Sequence, residues 1–135
     1  MIERTMYVKD CFSGNKVGVI TIIYDGNRFG VGVSMCKVDE DKFDKVIGKE
    51  LAMSRAKECL TKTPMLLKDL TSVGSLFRLS KLSGCGLPTT INVDCDTYDR
   101  EEALIDTYNY AVKDMIYTLA LRYVQSDCSC ERSSN

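Results

Sequence analysis

Arginine next to an aromatic ring is the residue pairing in this chain best suited to holding a flat, anionic ligand. Arg28 precedes Phe29 in the run Asp25-Gly26-Asn27-Arg28-Phe29, and Arg78 follows Phe77 in a leucine-rich stretch. A guanidinium presents a planar fork that gives paired hydrogen bonds to a phosphate. A ring beside it offers a stacking face for a base. Arg55 falls within an expected helix and Arg100 in the first turn of another. The amide of Asn92, on a strand candidate, suits a base edge. Arg28, Arg55, Phe77, Arg78, Asn92 and Arg100 are therefore the candidate ligand-binding residues. For each one alone, a solvated surface position is the plainer reading.

Residues for catalysis are scarce. The chain contains no histidine, which removes the commonest general base and zinc ligand and any serine triad. Asp94 and Asp96 flank Cys95, and on a strand their carboxylates would share a face. A magnesium site usually takes further converging carboxylates. Gly26-Asn27-Arg28-Phe29-Gly30 lacks the Gly-Lys-Ser/Thr ending of a phosphate loop. Gly84-Cys85-Gly86-Leu87-Pro88 lacks the helix start of a dinucleotide fold. The expectation is a binding protein and not an enzyme, with no catalytic residue, metal or cofactor.

Charge points the same way. Eighteen basic and nineteen acidic residues give a net charge of −1, which disfavours a general nucleic-acid coat. The balance is uneven along the chain. Lys42 to Lys81 holds nine basic residues against four acidic, and Asp94 to Asp106 holds six acidic against Arg100 alone. The first block suits a small anion, or a second subunit met positive to negative. The second matches a helix start. The seven cysteines form no Cys-x-x-Cys pair, and the N-terminal residues carry no apolar signal core. A reduced, cytoplasmic setting is expected, with most cysteines acting as small apolar residues. The Cys128 and Cys130 pair alone amounts to half a metal site. No apolar run approaches the roughly 20 residues of a membrane span.

The elements that must position these residues read as one α+β domain over residues 1–135. An N-terminal antiparallel β-meander comes first, with strands at Thr5–Lys9, Val17–Tyr24 and Phe29–Cys36. The turns are Ser13-Gly14-Asn15 and Asp25-Gly26-Asn27. The third strand alternates Phe29, Val31, Val33 and Met35 with Gly30, Gly32, Ser34 and Cys36. Its glycine face admits close approach by a helix, a subunit or a ligand, the helix being the plainer choice. A helix follows from Asp41 to Leu60, capped by Asp39-Glu40-Asp41, with Phe43, Val46, Ile47, Leu51, Ala52, Ala56, Cys59 and Leu60 as its apolar face. Gly48 and Ala52 form a notch on it, and Pro64 ends it. Residues 61–88 suggest a short helix and a loop, and Thr89–Asp94 a fourth strand. The last helix, capped by Asp96 or Thr97, keeps apolar spacing to Tyr123 over some 28 residues, or roughly 42 Å. A compact domain of this size spans about 37 Å. The helix thus outruns its own domain, and a homo-oligomer built on it is expected. Residues 126–135 read as a polar, flexible tail.

The segment Phe29 to Leu60, FGVGVSMCKVDEDKFDKVIGKELAMSRAKECL, joins the glycine strand to a helix with the pattern G-x-x-L-A-x-x-R-A at Gly48, Leu51, Ala52, Arg55 and Ala56. It resembles the type-one Thoeris anti-defence family of phage proteins, and about a quarter of the chain carries the resemblance. Members of that family are sponges that bind cyclic ADP-ribose isomers made by bacterial immune sensors, without cutting them. Some also hold cyclic oligonucleotides. They form dimers that build to hexamers, with pockets between subunits. The resemblance implies sequestration of a cyclic nucleotide signal in the host cytoplasm, and Arg55 belongs to the matched motif. The other readings are a protein-binding inhibitor of a host enzyme carried by a mobile element, a nucleic-acid-binding accessory, and a cyclic-nucleotide hydrolase.

Overall fold

A computed structural model describes residues 1–10, 13–36, 43–72 and 98–134, with side chains throughout except at 98–101 and 123–134. Three strands, β1 (Ile2–Lys9), β2 (Lys16–Asp25) and β3 (Arg28–Met35), form an antiparallel sheet in the order β1-β2-β3. Helix α1 (Lys45–Lys62) follows, then a short helix α2 at residues 67–72, then the long helix α3 (Tyr98–Ser134). The class is α+β, as the patterning indicates. The expected fourth strand, Thr89–Asp94, lies outside the described residues.

The turns form as their sequences dictate. Asp25 pairs with Arg28, leaving Gly26 and Asn27 as a two-residue loop. Gly26 takes φ 70°, the left-handed value a two-residue hairpin asks of its first loop position. Asp10 organises the other turn, since its carboxylate accepts from the Ser13 amide at 3.4 Å and its carbonyl from the Gly14 amide at 2.9 Å. β1 begins at Ile2 rather than Thr5, because the ladder to β2 continues through Ile2↔Tyr24.

The alternation in β3 separates two apolar layers. Phe29, Val31 and Val33 join Ile20 and Ile22 of β2 and Val8 of β1 on one face. Helix α3 covers that face with Leu104, Tyr108, Ala111, Val112 and Met115, all buried. The glycine face receives α1. A Cβ on Gly30 would overlap the Ala56 carbonyl oxygen, and one on Gly32 would overlap that of Ala52. Of the partners allowed for that face, a helix is the one present.

α1 is shorter at its start than its periodicity suggests. Residues 43 and 44 are not helical, and Asp44 caps the helix by accepting from the Val46 and Ile47 amides at 2.9 and 3.1 Å. Residues 39–42, where the cap was expected, lie outside the described residues. Its buried side is the small-residue stripe Gly48, Ala52, Ala56 and Cys59. Val46, Ile47 and Leu51, expected in the core, are exposed, Val46 by 67% and Ile47 by 57%. The physical reason is the close approach. A helix seated with its backbone against glycines turns its small side inward, and its bulkier neighbours are carried outward.

α3 spans 37 residues, or about 55 Å, and runs through Ser134 into the stretch read as a tail. It is clamped to β1 near its middle. The Arg4 guanidinium donates to the Thr118 hydroxyl at 2.7 and 3.0 Å and pairs with Asp114 at 3.3 Å. No helix among the described residues is long and apolar enough to cross a membrane.

Candidate functional site: a lysine-lined groove beside helix α1

α1 covers β2 and β3 but leaves β1 partly open on the glycine face. A groove of about 580 Å³ runs along the helix there, lined by Tyr7, Lys45, Val46, Lys49, Glu50, Met53, Ser54 and Lys57. That volume lies within the usual range for small-molecule sites. Lys45, Lys49, Met53 and Lys57 are spaced by four, so they form one ridge of the helix. Three cations and a thioether therefore face the same trough.

Tyr7 comes from β1, where it pairs with Val19. Its ring is held edge-on by Phe43, with centroids 6.3 Å apart and planes at 82°. The Lys16 ammonium sits over the ring, 4.3 Å from its centroid, a cation–π contact. Lys16 pairs with Lys9 across the β1–β2 ladder. The Lys45 side chain, some loss of hydration, and the charges of Lys45 and Lys9 all push Lys16 below the ordinary lysine value. No ion pair among the described residues involves Lys9, Lys16, Lys45, Lys49 or Lys57. Asp44, the nearest acid in sequence to Lys45, is engaged as the helix cap. The groove thus carries an excess of positive charge, with Glu50 as the acid in its lining.

Of the residues singled out from the sequence, Arg28 and Arg55 lie away from this groove. Arg55 does not face this groove. Its guanidinium donates to the Val33 carbonyl at 2.6 Å, tying α1 to β3. Arg28 is exposed at the hairpin, and its neighbour Phe29 is buried in the core, in ring contact with Tyr24 at 5.1 Å. Phe29 therefore offers no free face for stacking. Arg28 opens β3 and Val33 sits five residues further on, about 17 Å away along the strand, so Arg28 and Arg55 do not converge within one copy. Phe77, Arg78 and Asn92 lie outside the described residues, as do Asp94 and Asp96. Arg100 falls in the first turn of α3, with its side chain outside the description.

Sequence reasoning passed over Lys16, Lys45, Lys49 and Tyr7. One signal was available, the four-residue spacing of basic residues within the positive block. The contribution of β1 and β2 to the same site follows only from strand pairing. Among the described residues, no cluster of His, Cys, Asp and Glu is arranged to hold a metal ion. No family model, curated protein or solved structure matches this chain.

Proposed function

We propose that the protein binds and sequesters a compact anionic nucleotide signal, releasing it intact, and that it acts as a phage anti-defence sponge for a cyclic ADP-ribose isomer. The observation that carries this reading is a groove lined by Tyr7, Lys45, Lys49 and Lys57, with Lys16 over the Tyr7 ring. Unmatched cations beside an aromatic ring suit a ligand with a phosphate at one end and a flat ring at the other. The strand–helix segment Phe29 to Leu60 supplies the resemblance to that family.

Self-association is a separate part of this reading, because α3 lies on the side of the sheet opposite α1 and its groove. α3 offers a face for self-association. Tyr110 and Tyr117 are 66% and 64% exposed, and Leu121 is also exposed. By helical spacing the three lie opposite the core-facing residues Tyr108, Met115 and Leu119. The proposed assembly is a homo-oligomer held through this stripe.

The test is retention. Purified protein is mixed with cyclic ADP-ribose isomers, washed, then heated, and the released compound is identified by mass spectrometry. Recovery of unmodified ligand at near one per site supports the proposal. A cleaved product, or no retained ligand, overturns it. A second reading, capture of a host protein, is favoured by the exposed Val46, Ile47 and Leu51 on α1. It predicts no nucleotide retention and loss of that capture in Ile47→Lys.

A further inference from the structure

We infer that the edge of the groove where Lys16 sits over the ring of Tyr7, with Lys9 paired to Lys16 across the strands and Lys45 in the groove lining, is an oxyanion subsite, shaped for a diphosphate or a comparably charged phosphoryl group. This rests on reading the groove as the ligand site and assigns one edge of it.

Three separate elements deliver the cations. Lys9 closes β1, Lys16 opens β2 and Lys45 opens α1. Such convergence is unfavourable for the empty protein, because like charges at short range repel and water only partly screens them. Among the described residues, the Tyr7 ring contacts Lys16, and Lys9 and Lys45 act on its charge. None of these is an acid. The lowered lysine value of Lys16 comes first from its side-chain interaction with Lys45 and some loss of hydration, then from the charges of Lys45 and Lys9. An anion with two or more charges reverses the balance, turning mutual repulsion into shared attraction. Glu50 lies more than a turn along the helix from Lys45 and disfavours an anion at its own level. The charge of the ligand is thereby directed to the Lys45 end, and Tyr7 and Met53 remain as the apolar surface beside it.

The probes are inorganic pyrophosphate, ADP and adenosine, titrated into the full chain by calorimetry at low ionic strength. Pyrophosphate and ADP should bind, and adenosine much more weakly. Tighter binding of ADP than pyrophosphate assigns the anion to a nucleotide, and equal binding assigns it to free diphosphate; both keep the subsite. Lys16→Ala and Lys45→Ala should each weaken pyrophosphate about tenfold or more, with Lys16→Arg largely restoring it. Lys62→Ala, a control on the same helix paired with Glu58, should bind as the native chain does. A second readout is the titration of the Lys16 side-chain Cε signal by NMR, which should move to higher pH when sulfate saturates the site. Absence of pyrophosphate binding, or binding unchanged in both alanine variants, overturns the inference. If pyrophosphate binds through Lys16 and Lys45 while cyclic ADP-ribose isomers are not retained, the sponge reading falls and the subsite stands. If the isomers are retained without dependence on Lys16 and Lys45, the reverse holds.

Discussion

Arg55 shows how a residue type can suggest chemistry while its neighbours assign it to architecture. A guanidinium in an expected nucleotide binder invites a phosphate role. Here it holds the Val33 carbonyl, a bond from a cation to the end of β3 nearest α1's start. Arg55→Ala should therefore lower unfolding free energy by about 1.5–3 kcal/mol, read from urea denaturation, while pyrophosphate affinity stays within twofold. Tyr108 is the buried counterpart. Its hydroxyl donates to the Leu70 carbonyl at 2.5 Å, and burial, with a smaller contribution from Cys59, pushes it well above the ordinary tyrosine value. The folded chain keeps this proton at pH values where the unfolded chain sheds it. Stability from this group is thus complete below about pH 10 and declines as pH rises beyond it. Tyr108→Phe should cost about 1–3 kcal/mol at neutral pH, because the Leu70 carbonyl loses its donor. It should also flatten the alkaline decline, measured as denaturation midpoints from pH 8 to pH 11.

At the scale of elements, what was legible in the sequence followed from period and turn chemistry. The β2–β3 hairpin is set by Asp25-Gly26-Asn27, and the two faces of β3 by strict alternation. The long helix is set by apolar residues three and four apart. The orientation of α1 was less legible, since hydrophobicity favours burying Val46, Ile47 and Leu51. The decision belongs to Gly30 and Gly32, which let helix backbone approach strand backbone and so select Gly48, Ala52 and Ala56 as the contact. Periodicity ranks faces by hydrophobicity and is blind to the distance of closest approach. Gly32→Ala tests this packing. The added Cβ meets backbone atoms of Ala52 and Ala56, which cannot swing aside as a side chain can. A loss of about 1–3 kcal/mol, toward the upper end, is expected from urea denaturation. The lysine groove was hidden for a related reason. Its lining lies at positions 7 and 45–57, with Lys16 over the Tyr7 ring, and only the β1–β2 register together with α1's placement gathers them.

For the whole molecule, the two sides of the sheet are treated differently. α1 presses small residues on one side, and α3 lays large ones on the other. The outer surface of α3 then carries Tyr110, Tyr117 and Leu121 to solvent. Under the proposed self-association, Tyr110→Glu with Tyr117→Glu should reduce the particle mass measured by light scattering to that of a single chain. The circular dichroism spectrum should be unchanged, because both rings point away from the core. An unaltered mass would exclude this stripe as the contact.

The Arg4 clamp has a consequence for the order of assembly. Its partners, Asp114 and Thr118, lie more than a hundred residues downstream. On the ribosome, the sheet and α1 emerge complete while Ile20, Ile22, Val31 and Val33 await their cover from α3. At translation speeds of roughly 5–20 residues per second, that oily surface stays bare for about 3–11 s. The nascent chain is then most vulnerable to sticking to its neighbours, and the closing of Arg4 onto the last helix marks the end of that interval.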